Sequence, residues 1–134
     1  MSESRFKQRK ADVRSATSRL MALVTAPGDE VVRDATIQRF EFTFEAMWKA
    51  LKLYLDNEGL QAVSPRDVLR QAFAAGLVPD QGEADQWMAM LDDRSLTSHV
   101  YREALAREIY GRIVATHAPR IQRMAAMIET LKWR

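Results

Sequence analysis

The chain has no cysteine and few glycines, prolines or histidines, with 5 Gly, 4 Pro and 2 His among 134 residues. The absence of cysteine excludes disulfides and thiolate metal sites, and it indicates a reducing, cytoplasmic location. Two histidines are too few for a dedicated zinc site, so neither a metal ion nor a cofactor is predicted. Because Gly and Pro interrupt helices, their scarcity predicts long helices.

Long apolar runs are also missing. No stretch approaches the roughly 18 consecutive apolar residues of a membrane span. The polar segment from Met1 to Arg5 lacks the apolar centre of a signal peptide, so no membrane association is expected. With 47% hydrophobic and 28% charged residues, the composition is typical of a globular protein. The length predicts a single domain over residues 1–134.

The net charge is only +2, but the positive side chains are concentrated near the two ends of the chain. They are Arg5, Lys7, Arg9, Lys10, Arg14 and Arg19 in the first helical segment, and Arg120, Arg123, Lys132 and Arg134 in the last. Two interpretations remain open. Each cluster is either a solvated helix face, or a surface that attracts RNA or an acidic partner.

Apolar residues recur at helical spacing in five segments. The first covers about residues 4–26 and ends at Ala26-Pro27-Gly28. The second, about 31–57, has the clearest stripe and is the predicted centre of the fold. Its apolar residues are Ile37, Phe40, Phe44, Trp48, Leu51 and Leu55, with Phe42, Met47 and Tyr54 widening the face.

Shorter segments follow this central one. Ser64-Pro65 is a helix start, with serine as N-cap and proline at the first helical position, and that helix ends at Ala75-Gly76. A fourth segment covers about residues 82–93. The last, about 100–132, contains His117-Ala118-Pro119, where proline predicts a bend. We expect His117 there to bond a free backbone carbonyl. The pattern predicts an all-α, antiparallel, up-and-down bundle of four to five helices.

Two carboxylates, Glu41 and Glu45, lie one turn apart beside the central stripe. The ordinary interpretation is a helix-face ion pair between Glu45 and Lys49, four residues later. The alternative is a Mg²⁺ site, which would need further oxygen ligands.

The candidate chemical motif is Arg94, four intervening residues, His99, one spacer and Tyr101. Arginine binds phosphate, histidine transfers protons near neutral pH, and tyrosine offers a hydroxyl. Along an unbroken helix Arg94 and His99 would diverge by about 140°, so a local break or a second protomer is needed to bring them together. Thr97 and Ser98 can cap a helix, which predicts a junction between Ser95 and Ser98.

Three ordered blocks carry a family resemblance. RFEFTFEAMWKALK at residues 39–52 resembles the signature helix of the nucleotidyltransferase substrate-binding family, which belongs to the HEPN superfamily. Residues 64–77 resemble its next block, and Trp87 with residues 90–94 leads into its last. The resemblance covers nearly the whole chain and implies a dimeric helical bundle, usually encoded beside a minimal nucleotidyltransferase.

The resemblance also implies roles for the motif residues. Arg-x4–6-His marks metal-independent ribonucleases in the HEPN superfamily, and Arg-x4-His-x-Tyr resembles the HepT toxins. A nucleotidyltransferase antitoxin silences those toxins by attaching AMP to the tyrosine. By this resemblance Arg94 and His99 are catalytic and Tyr101 is the modified residue, with Ser95 and Ser98 in supporting positions. Ser95 stands where relatives commonly carry Asn, which differs in reach and hydrogen bonding.

These residue types suit RNA cleavage without a metal. The 2′-hydroxyl of RNA attacks the adjacent phosphate when a base removes its proton and an acid protonates the leaving oxygen. One histidine per chain cannot easily serve as both, so a homodimer that joins two sites is expected. The leading hypothesis is therefore a toxin with endoribonuclease activity. The alternatives are a non-catalytic subunit that binds substrate or nucleotide for the nucleotidyltransferase, and a plain interaction module.

Overall fold

The computed structural model describes residues 2–134, which form an all-α antiparallel bundle. Its helices are α1 (Ser2–Val24), α2 (Glu30–Asn57), α3 (Pro65–Ala74), α4 (Gln81–Leu96), α5 (Glu103–Arg112) and α6 (Ala118–Thr130). A 3-10 turn, Thr97–His99, follows α4, and a π turn, Ile113–His117, joins α5 to α6. Since α5, the π turn and α6 form one bent helix, the predicted bundle of four to five helices is confirmed.

The helix starts follow from capping residues. At the start of α2 the side chain of Asp29 accepts a hydrogen bond from the backbone N–H of Val32 at 2.8 Å. At the start of α3 the hydroxyl of Ser64 accepts a hydrogen bond from the backbone N–H of Asp67 at 3.2 Å, as the Ser-Pro signal predicted. Such caps satisfy backbone donors that the first helical turn cannot pair, and each stabilises a helix by about 1 kcal/mol.

Two glycines follow helix ends. Gly59, after α2, has a φ of +84°, and Gly76, after α3, has a φ of +80°. Side chains are strained in this left-handed region, and only glycine adopts it freely. Both stop positions agree with the sequence interpretation.

The central helix is α2, as its stripe predicted, and it packs against α1, α3, α4, α5 and α6. Phe40, Phe44, Leu51 and Leu55 are at most 2% exposed, and full burial of such side chains contributes about 1.5–3 kcal/mol each. Phe42 departs from the prediction: it does not widen the buried face, because it lies on the opposite side of α2 and is 52% exposed.

The bend in the last helix arises from the π turn before Pro119. Proline has no backbone N–H and cannot close the regular i→i−4 ladder. Across the turn the N–H of Ala118 donates to the carbonyl of Ile113, five residues earlier. The extra residue in this turn bends the helix, which confirms the predicted break. Within residues 2–134 no helix is both long and apolar enough to cross a membrane.

Candidate functional site

Arg94 lies in the last turn of α4, and its side chain is 34% exposed. Its Nη2 lies 3.9 Å from Oε2 of Glu45 on α2, which is a long ion pair rather than a close hydrogen bond. Its Nε is buried and has no hydrogen-bond partner within residues 2–134. The guanidinium therefore faces a carboxylate at long ion-pair distance, and the exposed third of the side chain remains accessible to an anion.

Glu45 is shared by three donors. Its Oε1 pairs with Nζ of Lys49 at 3.2 Å, which confirms the predicted helix-face pair. Its Oε2 accepts the indole N–H of Trp48 at 2.8 Å and faces Arg94. Burial raises the pKa of Glu45, but the bonds from Trp48 and Lys49 and the charge of Arg94 outweigh it and hold that pKa below its usual range. Because cations and an N–H donor occupy both oxygens, the carboxylate is poorly placed for the Mg²⁺ alternative.

The segment after Arg94 leaves the α-helical path. Helix α4 continues to Leu96, three residues beyond the predicted end, and then tightens into the 3-10 turn. The predicted junction between Ser95 and Ser98 is confirmed, but its hydroxyls do not act as N-caps: Thr97 Oγ1 donates to the carbonyl of Arg94 at 2.7 Å, and Ser98 Oγ donates to that of Ser95 at 3.3 Å. These hydroxyls satisfy carbonyls at the end of α4. These hydrogen bonds stabilise the 3-10 turn that ends at His99.

His99 ends this turn and Tyr101 lies two residues beyond it, and both are exposed, Tyr101 by 81%. Their ring centroids are 6.2 Å apart and the planes meet at 74°, an edge-to-face arrangement. On a continuous helix the two side chains would diverge by about 160°, so the irregular backbone brings the rings together. Tyr101 therefore points to solvent and does not pack inside the bundle.

Arg94 and His99 do not contact each other directly. Within the described chain no hydrogen bond or ion pair joins them, and each interacts with a different neighbour, Glu45 and Tyr101. Ser95 is exposed, and its hydroxyl donates to the carbonyl of Leu91 at 3.2 Å. A single chain therefore presents the guanidinium of Arg94 and the imidazole of His99 separately, and the catalytic roles of these residues remain predictions.

A buried polar cluster behind the site was not predicted. Asp93, next to Arg94, is 5% exposed and accepts two hydrogen bonds from Arg112, at 2.8 and 2.9 Å. Its Oδ2 also lies 2.7 Å from Nε2 of His117, whose ring stacks on Phe40 at 5.6 Å. The prediction that His117 bonds a backbone carbonyl is wrong, because the carboxylate on α4 supplies a stronger, charged acceptor. We call Asp93, Arg112 and His117 the Asp93 cluster.

The ionisation of the Asp93 cluster follows from its burial and charges. Burial raises the pKa of Asp93, but the hydrogen bonds from Arg112 and His117 and their charges hold it below its usual range. Burial lowers the pKa of His117, and this exceeds the opposing effect of Asp93. The cluster is therefore an anionic carboxylate between a guanidinium and a neutral imidazole at neutral pH.

A sequence signal for Asp93 exists in hindsight. It continues the buried stripe of α4 at steps of three and four, a stripe formed by Ala84, Trp87, Met90 and Thr97. A carboxylate in such a register requires a buried partner. No comparable signal links Glu45 to Arg94, because the two residues come together only through the packing of α2 against α4.

Comparisons with known proteins agree with this fold. A sequence profile described as "Nucleotidyltransferase substrate binding protein like" matches residues 8–130. The protein named "Probable ribonuclease HepT" from Haemophilus influenzae is 34% identical over 82 residues, which cover 58% of this chain. The matched part spans 54% of that relative, so the chain spans about half the length of the curated protein it matches.

A crystal structure of a protein from Thermus thermophilus has the same helical arrangement. It superposes with a TM-score of 0.75 and 44% sequence identity, over 87% of this chain and 95% of the other. The profile covers nearly all of the bundle, including α4 and the motif that follows it. The chain is therefore a member of the nucleotidyltransferase substrate-binding family, a HEPN-like family.

Proposed function

We propose that this protein is a HepT-type toxin that cleaves RNA without a metal ion. The observation that carries the proposal is the arrangement at the end of α4. The Arg94 guanidinium is partly exposed and forms a long ion pair with Glu45, and five residues later His99 is exposed on a 3-10 turn with its ring 6.2 Å from that of Tyr101. The similarity to a protein named as a probable ribonuclease supports the same activity.

The proposed reaction uses the RNA's own 2′-hydroxyl as nucleophile. One His99 removes the 2′ proton, the 2′-oxygen bonds to phosphorus, and the 5′-oxygen leaves with a proton from a second His99. The products are a 2′,3′-cyclic phosphate and a 5′-hydroxyl. Arg94 binds the phosphate and stabilises the charge that develops on its oxygens. An imidazole suits both proton transfers because its charge changes near neutral pH.

A homodimer is required by this scheme, since each chain supplies one exposed histidine. Two large apolar side chains that a second chain could cover remain exposed: Leu96, two residues after Arg94, by 38%, and Phe42 on α2 by 52%. We expect light scattering to give twice the chain mass at micromolar concentration. A monomer at that concentration would rule out the composite site.

Growth on induction tests the toxin as a whole. Cells expressing the wild type should stop growing, and cells expressing His99→Ala at equal level should grow. Co-expression of the neighbouring minimal nucleotidyltransferase should restore growth to the wild type. If wild-type cells grow normally, the protein is instead the non-catalytic subunit. Ser95 favours that second function, because its hydroxyl bonds within its own helix rather than toward the site.

Tyr101 is the proposed control point of the toxin. Its exposure of 81% leaves the hydroxyl accessible for AMP attachment, and the modification would place a negative phosphate beside His99. In the proposed cleft that charge would compete with RNA for Arg94 and repel the RNA backbone.

Co-expression with the nucleotidyltransferase should add one or more AMP masses to the intact chain, and peptide mapping should assign them to Tyr101. Tyr101→Phe should fold normally, remain toxic and carry no AMP. The exposed Tyr101 has a natural control in Tyr110, which is half-buried on α5 and should stay unmodified. An unmodified wild type that is still neutralised would show that inhibition acts through complex formation alone.

A further inference from the structure

A groove between α1 and α2 has the composition of a site for single-stranded RNA. Its volume is about 310 Å³, and its lining includes Arg5, Arg9, Trp48, Lys49, Lys52 and Asp56. Four cations face a single carboxylate, which leaves an excess of three positive charges. The ring of Trp48 lines the same space and is only partly buried. We call this the α1–α2 groove.

The two arginines of the groove are not neutralised by the protein. Within residues 2–134 neither Arg5 nor Arg9 forms a side-chain hydrogen bond or ion pair, although both lie on the same face of α1, one turn apart. By contrast, Asp56 is already occupied, since Lys52 donates to it at 2.7 Å. A polyanion that enters the groove would therefore meet two uncompensated guanidinium groups.

The groove is connected to Arg94 through one carboxylate. Glu45 accepts the indole N–H of Trp48 at 2.8 Å and the ammonium of Lys49 at 3.2 Å, and its Oε2 lies 3.9 Å from Nη2 of Arg94. The bond from Trp48 fixes the orientation of its ring against the groove. From Glu45 to Asp56 the helix α2 rises about 16 Å, so the positive surface continues away from Arg94 along one side of the bundle.

We propose that the α1–α2 groove holds the RNA strand beyond the cleaved phosphate, with Arg5, Arg9 and Lys49 on backbone phosphates and one base stacked on Trp48. Cationic side chains interleaved with an aromatic ring bind single strands through phosphate contacts and base stacking, with little sequence preference. The inference rests on the proposed ribonuclease function and adds a substrate-binding site distant from the reacting atoms.

The test measures binding and cleavage separately. Fluorescently labelled single-stranded RNA is titrated against the full chain carrying His99→Ala, which leaves the substrate uncut. Adding Arg5→Ala/Arg9→Ala should weaken binding at least tenfold and lower the slope of log K against log salt by about 1.4, since each phosphate contact on a single strand contributes about 0.7. The control Arg19→Ala/Arg70→Ala removes two exposed arginines outside the groove, so the net charge is matched, and it should bind nearly as tightly as the parent.

Trp48 gives a second, independent signal. RNA should quench tryptophan fluorescence, and Trp48→Leu should abolish the quenching and weaken binding by about 5- to 100-fold. Trp87 is 3% exposed and should contribute no quenching, and the third tryptophan, Trp133, lies outside the groove. A thermal melt of Trp48→Leu shows that the variant is folded, and the arginine variants test the groove without altering the core.

Three results would overturn the proposal. Equal weakening by both double variants would indicate diffuse attraction to a basic surface. Unchanged quenching in Trp48→Leu would exclude stacking, and quenching by ATP that competes with RNA would assign the groove to a mononucleotide. Failure of the ribonuclease hypothesis would give a different result. The wild-type protein, with His99 intact, would not cleave RNA, but RNA binding that depends on the groove would still be measured.

Discussion

Replacing His99 by Ala should lower the rate of RNA cleavage by about 10²–10⁴-fold, because the variant loses the group that moves both protons. That range corresponds to about 2.7–5.5 kcal/mol of transition-state stabilisation. His99 is exposed and contributes no core packing, so the thermal stability should hardly change. The measurement is the initial rate on a defined single-stranded RNA in EDTA, with the 2′,3′-cyclic phosphate identified among the products.

Arg94→Ala should reduce cleavage by a comparable factor through loss of phosphate binding, and Arg94→Lys should recover little of it, because an ammonium cannot form the bidentate contact. Arg102→Ala is the matched control. It removes an exposed arginine from the same segment, beside Tyr101, and should cut RNA at the wild-type rate. If His99→Ala and Arg94→Ala both retain wild-type rates, catalysis lies elsewhere in the molecule.

Asp93→Ala should destabilise the fold by about 2–4 kcal/mol, because it leaves His117 buried without its charged partner and removes both hydrogen bonds to Arg112. The value is below that of a fully buried pair because the Arg112 side chain is 44% exposed and can be hydrated. The melting temperature should fall by roughly 8–15 °C. Chemical denaturation followed by circular dichroism measures the free energy directly.

Asp92→Ala is the control for this change. The neighbouring carboxylate is 69% exposed and lies 3.4 Å from Arg66 in a surface pair, so its loss should cost about 0.5 kcal/mol or less. Equal destabilisation by the two alanines would contradict a structural role for the Asp93 cluster. Because Asp93 adjoins Arg94 on α4, the Asp93→Ala variant should also cut RNA more slowly even at temperatures where it is folded.

The same cluster predicts how stability depends on pH. Burial lowers the pKa of His117 from its ordinary value of 6.5, with Arg112 and Arg120 lowering it further against the opposing effect of Asp93. The unfolded chain then binds more protons below about pH 6.5, so stability falls as the solution is acidified through that value. The lowered pKa of Asp93 causes a further loss of stability when the pH falls below 3.8, the ordinary pKa of an aspartate.

His117→Gln should flatten the decline in melting temperature between about pH 7.5 and 5.5. His99→Gln, which removes the exposed imidazole, should retain this decline.

The helices and their ends were determined largely by local sequence. The apolar stripe of α2, the Ser64-Pro65 start and the Gly59 and Gly76 stops act over one or two turns, so residues near in sequence suffice to predict them. The start of the last helix was less well predicted. The pattern suggested residue 100, but regular helix begins at Glu103, after three non-helical residues that carry no strong stop signal.

The sequence also identified the motif residues, through the spacing of Arg94, His99 and Tyr101. It did not predict how their side chains are arranged in space. Only the tertiary structure decided that Arg94 faces Glu45, and that the irregular backbone after α4 presents His99 and Tyr101 together to solvent. Side-chain direction on a turn depends on backbone angles that the spacing of residues does not specify.

The Asp93 cluster and the α1–α2 groove depended most on the fold. Asp93 meets His117 across 24 residues, and Arg9 and Trp48 line one groove from two different helices. Contacts between residues distant in sequence depend on which helix faces pack together. The charge pattern along one helix cannot distinguish a solvated face from a face that borders a groove. The sequence by itself determined an all-α bundle and its chemical groups, and the packing of α1 and α4 against α2 decided which of those groups act together.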